Sequence, residues 1–406
     1  MTAVAPSAAG GRRAAWGASL FMRLLASSWR RGRLTVTLPD GAMHRLEGRH
    51  PGRAAILRIG DWRCIRRTLA GGDIGFAEGY MAGEWDSPHL PALLEAFADN
   101  YDHLSRLVDG RPVLNALNRI AHRLNHNSRR GSRRNIHAHY DLGNAFYEAW
   151  LDDSMTYSSA RFSGGQSLEE AQGAKYARLA AIMDLRPDQS VLEIGCGWGG
   201  FAEYAAREVG ARVTAITISR EQYDYARRRI HEAGLAERAD IRLVDYRDVE
   251  GRFDRVASIE MFEAVGEEYW SDYFRALKRV LKPGGRAGLQ IITIRDDLFD
   301  GYRRRPDFIQ KYIFPGGMLP SETRLAPAIA GAGLDWTTTE RFGQDYAATL
   351  EQWGHRFDNA WPAIAAGGRF DKRFRRLWRF YLAYCEAGFR SGRTDVIQIG
   401  LSTGRA

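Results

Sequence analysis

Three glycines in alternate positions, Gly195, Gly197 and Gly199, stand between two patterned segments. The apolar run that begins at Val191 predicts a buried strand, and Phe201–Val209 predicts an amphipathic helix. Glycine lets the chain turn tightly between such elements and approach a ligand where side chains would clash. The segment therefore predicts a cofactor-binding loop at the end of a strand.

An acidic residue, Glu193, stands two positions before the first of these glycines. The spacing Glu-x-Gly-x-Gly-x-Gly resembles the motif of class I methyltransferases more closely than a dinucleotide fingerprint. The cofactor of those enzymes, S-adenosylmethionine, has a methionine moiety and no pyrophosphate. We therefore expect S-adenosylmethionine as the cofactor.

Two later segments hold further candidates for cofactor contacts. Thr217, Ser219 and Gln222 follow the second predicted strand, where a group normally meets the cofactor ribose. Ser219 and Gln222 also match a helix capping box, so Gln222 is predicted as cap, ligand or both. Asp245 and Tyr246 follow the third strand, where an adenine contact is expected and where an ordinary turn would have the same composition.

The elements around these residues alternate between strand and helix patterns. The predicted strands are Ser190–Cys196, Arg212–Ile218, Asp240–Asp245, Phe253–Glu260, Gly284–Thr293, Leu334–Phe342 and Thr394–Thr403. This pattern is typical of a parallel sheet covered by helices. We expect an α/β fold of the Rossmann-like class I methyltransferase type, with a seven-stranded, mostly parallel sheet and a helical insertion.

The N-terminal third predicts a small α+β domain over residues 1–100, with strands at Leu34–Leu38 and Ala54–Ile59 and helix from about Gly75. Residues 101–138 predict a helical and basic linker that ends in Asn125–Arg134. The methyltransferase domain is expected over 139–406, with a helical excursion at 296–390.

Charge and apolar patterning bear on possible partners. The chain has 406 residues and a net charge of +9, carried mostly by arginine, which favours phosphate-bearing partners or is simply an Arg-rich composition. Residues 16–30 group Leu20, Phe21, Leu24 and Leu25 on one helical side. That pattern fits a helix on an anionic membrane surface and equally a helix packed on its own domain.

Several classes of protein are disfavoured by composition. Only three cysteines occur, widely spaced, so neither a disulfide framework nor a metal site is expected. No stretch is apolar enough to span a bilayer. We expect a cytoplasmic enzyme that is peripherally associated with the inner face of the membrane.

Two long stretches, His139–Phe162 and Phe308–Pro320, are too particular for a generic fold. Together with Met261–Gly266 they resemble the family of cyclopropane-fatty-acyl-phospholipid synthases and mycolic acid cyclopropane synthases, over about 139–401. The resemblance implies methylation of a cis double bond in a lipid acyl chain. The resulting carbocation then loses a proton as the ring closes, and members of the family hold a bicarbonate ion for that step.

The resemblance also assigns residues. It implies that Tyr157 and Ser158 contact the cofactor, that Glu263 holds the bicarbonate ion, that Tyr346 binds the same ion, and that Ile292 contributes main-chain hydrogen bonding.

The sequence departs from the family at two catalytic positions. Ser159 stands where a cysteine is usual, and the implied contact there is through the main chain. Gln290 stands where a bicarbonate-binding histidine is expected; glutamine can donate one hydrogen bond to the anion but carries no positive charge. The departure predicts weaker bicarbonate binding and a different fate for the carbocation.

The leading hypothesis is therefore methyl transfer to an unsaturated phospholipid acyl chain, giving a cyclopropane or, given Gln290, a methyl or methylene branch. A nucleic acid methyltransferase is disfavoured, because the chain lacks both an Asn/Asp-Pro-Pro-Tyr stretch and a Pro-Cys nucleophile. A non-catalytic lipid or cofactor binder, altered at Ser159 and Gln290, is the third hypothesis. The resemblance is compatible with a homodimer.

Overall fold

The computed structural model of the protein describes residues 19–104 and 142–404. Its N-terminal part contains a four-stranded sheet in the order β2-β1-β3-β4. The strands are β1 (Arg31–Thr37), β2 (Met43–Glu47), β3 (His50–Ile59) and β4 (Trp85–Asp86). Strands β1 and β3 are parallel, and the other pairs are antiparallel. Helices Arg63–Met81 and Leu90–Asp99 complete the predicted α+β arrangement.

The first of these helices corrects the sequence prediction. It begins at Arg63, whereas the pattern placed helix only from about Gly75. Gly72 lies inside it with φ 64° and ψ −138°, which is a kink rather than helix. Glycine adopts such a conformation without a Cβ clash. The kink divides the helix into two short pieces, so a single helical period does not run through it.

The N-terminal apolar segment packs on the protein itself over the part that the structure describes. Residues 19–28 are helical. Phe21 and Leu25 are buried in the same core as Leu34 and Leu57, and Leu24 packs against it. This part of the segment therefore has its apolar side in the core rather than on a membrane. Arg12, Arg13, the stretch Asn125–Arg134 and most of the predicted linker lie outside the described residues.

The larger sheet has seven strands in the order β10-β11-β9-β8-β5-β6-β7. They are β5 (Ser190–Ile194), β6 (Arg212–Thr217), β7 (Ala239–Leu243), β8 (Phe253–Ile259), β9 (Leu281–Ile294), β10 (Asp335–Arg341) and β11 (Thr394–Ser402). Strand β11 is antiparallel to both of its neighbours, β9 and β10, and the other neighbouring pairs are parallel. All seven predicted strands are confirmed. The five strands β5 to β9 were recognisable because buried parallel strands leave short, nearly continuous apolar runs.

Helices cover this sheet and fill the predicted excursion. They are Asn144–Glu148, Leu168–Met183, Gly200–Arg207, Arg220–Glu232, Trp270–Val280, Asp296–Tyr302, Phe308–Tyr312, Glu322–Gly331, Gly343–Ala366 and Lys372–Arg390. The excursion 296–390 contains the last five of these helices, the strand β10 that the sequence also predicted, and the loops that connect them. Among the described residues, no helix combines the length and the apolar character needed to cross a bilayer.

The N-terminal part and the methyltransferase part share one hydrophobic core. Helix Lys372–Arg390 packs on the N-terminal helices, where the Phe380 ring lies 5.7 Å from that of Tyr80. Arg376 on the same helix donates to the backbone oxygens of Tyr80 and Trp85. This shared core holds the N-terminal helices against the edge of the cavity described next.

Candidate active site

One cavity of about 800 Å³ lies at the carboxyl ends of the parallel strands. Ligands of open α/β sheets bind at this edge, so its position alone marks it as the candidate site. The glycine loop, the ends of β6 and β8, and the excursion helices line it. The N-terminal residues Phe76, Leu94 and Phe97 line its far end.

The glycine loop is built around positive φ angles. Gly195, Gly197 and Gly199 have φ values of 81°, 53° and 87°. A Cβ on Gly195 would lie 2.6 Å from Cγ of Met261, whereas one on Gly197 would meet nothing within 4 Å. Gly195 and Gly197 line the cavity, but Gly199 does not; it precedes helix Gly200–Arg207. The loop thus leaves open space where a ligand can meet the backbone.

At the end of β6, different side chains have the two roles that were predicted for Gln222, helix cap and cofactor ligand. Ser219 caps helix Arg220–Glu232 and does not line the cavity. The Gln222 side chain does not return to the cap; its Oε1 accepts from Thr217 Oγ1 at 2.9 Å. Thr217 and Gln222 both line the cavity. Gln222 is therefore a candidate for a ligand contact, and Ser219 is a helix cap.

This separation makes a testable prediction. Gln222→Ala is expected to weaken cofactor binding several-fold to about tenfold, since one net hydrogen bond contributes roughly 0.5–1.5 kcal/mol. The matched change Ser219→Ala is expected to lower the free energy of unfolding by about 1 kcal/mol with little effect on affinity. Calorimetric titration with S-adenosylhomocysteine and thermal unfolding of both variants check this, and equal losses of affinity would contradict it.

Asp245 and Tyr246 lie where the sequence placed them, beside the glycine loop. The Asp245 carboxylate is 3% exposed and accepts two hydrogen bonds from the Arg247 guanidinium, at 2.8 and 2.7 Å. Both residues line the cavity, and the Tyr246 ring packs edge-on against Tyr273. The two hydrogen bonds from Arg247 hold the Asp245 carboxylate in one orientation at the cavity.

Glu193 at the end of β5 is buried, and its Oε2 atom has no hydrogen-bond partner among the described residues. Burial raises the pKa of Glu193 to about 8. A buried carboxyl oxygen without a partner is costly unless a ligand or proton satisfies it. Glu193 lines the cavity, so this oxygen is suited to a donor group of the cofactor.

The predicted catalytic residues converge on a residue that the sequence analysis did not select, Glu260. Its Oε1 accepts from the backbone N–H of Ser159 at 2.8 Å and from Gln290 Nε2 at 2.7 Å. Its Oε2 accepts from the Tyr346 hydroxyl at 2.6 Å. Glu260 and Tyr346 line the cavity, whereas Ser159 and Gln290 lie behind the Glu260 carboxylate.

The orientation of the Gln290 amide is set from its other side. Gln398 Nε2 donates to Gln290 Oε1 at 3.0 Å and to the Lys175 carbonyl oxygen at 3.2 Å. Because Oε1 of Gln290 is an acceptor there, its Nε2 is the atom that faces Glu260. The Ser159 side chain turns away and donates to the Ala160 carbonyl, which leaves only its main chain for the site.

Glu263 and Ile292 are hydrogen-bonded to each other, whereas the resemblance implied only that Glu263 holds the ion and that Ile292 contributes main-chain hydrogen bonding. The Ile292 N–H donates to Glu263 Oε1, and Oε2 is buried with no partner among the described residues. Burial and the neighbouring charge of Glu260 raise the pKa of Glu263 to about 8. Because two adjacent carboxyl groups resist double ionisation, Glu263 favours its neutral form at pH 7, while the three donors around Glu260 favour ionisation of that carboxylate.

A fully buried lysine, Lys175, accompanies this cluster. Burial lowers its pKa to about 7, against the charges of Glu260, Asp152 and Glu193. Its Nζ donates to Ser158 Oγ at 2.6 Å and lies 4.6 Å from the centre of the Tyr176 ring. The charge of Glu260 raises the pKa of Lys175, and the charge of Lys175 lowers that of Glu260, so each favours the charged form of the other.

Aromatic rings also line the cavity, and one of them, Tyr346, lies next to the carboxyl groups. The hydroxyls of Tyr157 and Tyr381 are 2.6 Å apart, and both residues line the cavity. The Tyr346 ring stacks on Phe389 with centroids 4.4 Å apart. Such faces stabilise a nearby cation and exclude water from it.

Glu260 and Lys175 were missed for different reasons. Glu260 stood in the sequence as the last residue of a predicted strand, although the pair Glu260 and Glu263 on either side of a turn is a spacing that can bring two carboxylates together. Lys175 gave no signal, because lysine in a helix is normally solvated.

The fold and the glycine loop define the class of the protein: it is an S-adenosylmethionine-dependent methyltransferase of class I. Residues 127–399 match the family described as mycolic acid cyclopropane synthetase. The chain is 42% identical over 345 residues to the tuberculostearic acid methyltransferase UfaA1 of Mycobacterium tuberculosis, covering 82% of this chain and 79% of that protein. The chain belongs to this family.

Two further proteins of known family are similar to this chain. The chain is 34% identical over 389 residues to the cyclopropane-fatty-acyl-phospholipid synthase of Escherichia coli, covering 91% of this chain and 96% of that protein. The structure of the cyclopropane synthase MmaA2 from Mycobacterium tuberculosis superimposes with a TM-score of 0.62 at 29% identity, over 66% of this chain and 98% of that one.

Proposed function

We propose that the protein transfers the methyl group of S-adenosylmethionine to a double bond of an unsaturated phospholipid acyl chain and that the product is a cyclopropane. The observation that carries this proposal is the continuity of the cavity. The same cavity is lined by the loop glycines Gly195 and Gly197, by Glu260 and Tyr346, and by the apolar side chains of Phe76 and Phe97. A cofactor loop that opens directly into an apolar passage suits an acyl chain.

The residues present fit the cofactor. The bound cofactor supplies a methyl group on a positively charged sulfur. Gly197 leaves room for close approach to the backbone, Gln222 and Asp245 offer polar groups beside it, and Glu193 has an unpartnered oxygen.

The first step, methyl transfer, depends on the alignment of the alkene and on the exclusion of water more than on acid–base catalysis. An alkene is a poor nucleophile, so its π bond must be held in line with the methyl group in a pocket without water. Tyr157, Tyr381 and Phe389 supply apolar faces along the passage. After methyl transfer the same rings stabilise the substrate carbocation until a carboxylate removes a proton.

The proposed substrate brings further expectations. Phospholipids are held in membranes, so we propose a peripheral and transient contact with an anionic, cytoplasm-facing membrane surface, favoured by the net charge of +9. A homodimer is proposed from the family relationship alone. No nucleic acid partner is proposed.

A second product class has a specific observation in its favour. The chain is 42% identical to a protein named as a tuberculostearic acid methyltransferase, and Gln290 departs from the histidine expected at its position. The alternative proposal is therefore a fatty-acyl C-methyltransferase that leaves a methyl or methylene branch. In either case the acceptor is an acyl-chain double bond.

The test combines purified protein, isotopically labelled S-adenosylmethionine and vesicles of phospholipids with monounsaturated chains. The expected result is label in the fatty acids, and fragmentation by mass spectrometry assigns a cyclopropane, methylene or methyl group. Vesicles with fully saturated chains are the matched control. Cofactor binding without label in any lipid would contradict the proposal and favour a non-catalytic binder, whereas label in added RNA or DNA would favour a nucleic acid methyltransferase.

A further inference from the structure

Glu260 adopts a backbone conformation that L-residues rarely use. It follows β8 with φ 47°, in the left-handed region. Its N–H donates to the Gln290 carbonyl oxygen at 2.9 Å, which ties this conformation to β9. Strained residues of this kind are retained where the surrounding structure fixes them, often at active sites. Here the conformation places a carboxylate at the centre of the predicted catalytic residues.

The Glu260 carboxylate occupies the hydrogen-bond donors that the family resemblance assigned to a bicarbonate ion. Those donors are the Ser159 main chain, the residue at position 290 and the Tyr346 hydroxyl, and each donates to Glu260. Bicarbonate and a carboxylate present the same pair of oxygens that share one negative charge. Both cannot use the same three donors at once, so the residues present do not fit the ion.

Three hydrogen-bond donors around Glu260 favour the ionised form of its carboxylate and oppose the effect of burial. Burial raises the pKa of Glu260, while the Tyr346 hydroxyl, the Lys175 charge, the Ser159 N–H and the Gln290 amide lower it. Glu263, beside it, is the carboxyl group that holds a proton. A neutral glutamine at position 290 suits this arrangement, because its amide donates a hydrogen bond to Glu260 without bringing a further charge into the core.

We propose that Glu260 is a catalytic residue, the built-in base of the reaction, and that its side-chain carboxylate makes a bicarbonate ion unnecessary. This inference rests on the proposed function, since it assigns the proton acceptor of that reaction.

The step balances as follows. The carbon–sulfur bond of the methyl donor breaks and a carbon–carbon bond to the alkene forms, leaving a neutral thioether and a substrate carbocation. Glu260 then takes one proton from the new methyl group, and the electron pair of that C–H bond closes the ring. If hydride migration moves the cation first, loss of the same proton leaves a methylene group instead. In both cases Glu260 ends protonated and the product is neutral.

The first experiment compares reaction rates in buffer freed of carbon dioxide with rates after bicarbonate is added back. The wild-type rate is expected to be unchanged by bicarbonate. Glu260→Gln, which keeps the shape but cannot accept the proton, is expected to lose roughly 10²–10⁴-fold in kcat while still binding S-adenosylhomocysteine. Glu386→Gln, a buried and ion-paired carboxylate that does not line the cavity, is the matched control and is expected to keep the wild-type rate. A wild-type rate that rises with bicarbonate, or a Glu260→Gln variant with full activity, would overturn the inference.

The second experiment needs no lipid and therefore separates this inference from the proposed function. Titration with ¹³C-labelled bicarbonate, followed by NMR, is expected to show no binding to the wild type and saturable binding to Glu260→Gly. Glycine suits the positive φ at this position and uncovers the three donors. In the lipid assay of the first experiment, the activity of this variant is expected to recover as bicarbonate is added. Binding of the ion by the wild type, or its failure to bind the folded variant, would refute the inference even if no lipid substrate is found. Absence of lipid methylation by a wild type that excludes bicarbonate would instead count against the proposed function alone.

Discussion

Gly195→Ala is expected to lower cofactor affinity by roughly ten- to a hundredfold. Two effects act together. The φ of 81° is unfavourable for any residue with a Cβ, and that Cβ would lie 2.6 Å from Cγ and 2.9 Å from Cβ of Met261. Met261 directly follows Glu260, so relief of the clash would displace the backbone between the cofactor loop and the base. Isothermal titration with S-adenosylhomocysteine measures the loss.

A glycine with the same strain but no clash serves as the control for this variant. Gly234 has φ 69°, and a Cβ there would meet nothing within 4 Å. Gly234→Ala is therefore expected to lower the melting temperature through backbone strain while leaving cofactor affinity near the wild-type value. If both variants bound the cofactor equally well, the close approach of Met261 to the loop would not be important for binding.

The sequence predicted the sheet well because the physics of buried parallel strands is local. Strands such as β5 and β8 are covered on both faces, so they appear as short apolar runs regardless of what they pack against. The order of the strands depends on tertiary packing and was reachable only through the class I resemblance. The N-terminal apolar segment illustrates the same limit, since its pattern fits a membrane and a core equally until Phe21 and Leu25 are seen packed inside.

The candidate site was predicted in outline, with its central residue missing. Glu263, Ile292, Tyr346, Gln290 and Ser159 were all identified, and the structure brings them together. Glu260 was not, because the direction of a side chain at the end of a strand depends on one backbone angle, and no pattern in the sequence signals a positive φ at a glutamate. The departure at Gln290 was visible, but its hydrogen bond to Glu260 was needed to interpret it.

Lys175→Met is expected to reduce activity at pH 7 at least about tenfold and to restore much of it at higher pH. The ammonium group attracts the Glu260 carboxylate and so lowers its pKa. Without that charge the pKa of Glu260 rises, and each unit of increase reduces the ionised fraction about tenfold at a pH below it. Because the base must be ionised, the acidic limb of the pH–rate profile is expected to move to higher pH.

The form of this change distinguishes a positioning residue from a merely structural one. A structural defect would lower kcat at every pH, whereas loss of the charge partner moves the midpoint of the acidic limb. Lys282→Met is the matched control, since Lys282 pairs with Asp254 at 2.9 Å on a half-exposed surface away from the cavity. Its profile is expected to coincide with that of the wild type, because exposed ion pairs contribute little. A Lys175→Met variant that folds, binds S-adenosylhomocysteine and keeps the wild-type midpoint would show that Glu260 remains charged without Lys175. The three hydrogen bonds from Ser159, Gln290 and Tyr346 would then be sufficient to hold the base in its ionised form.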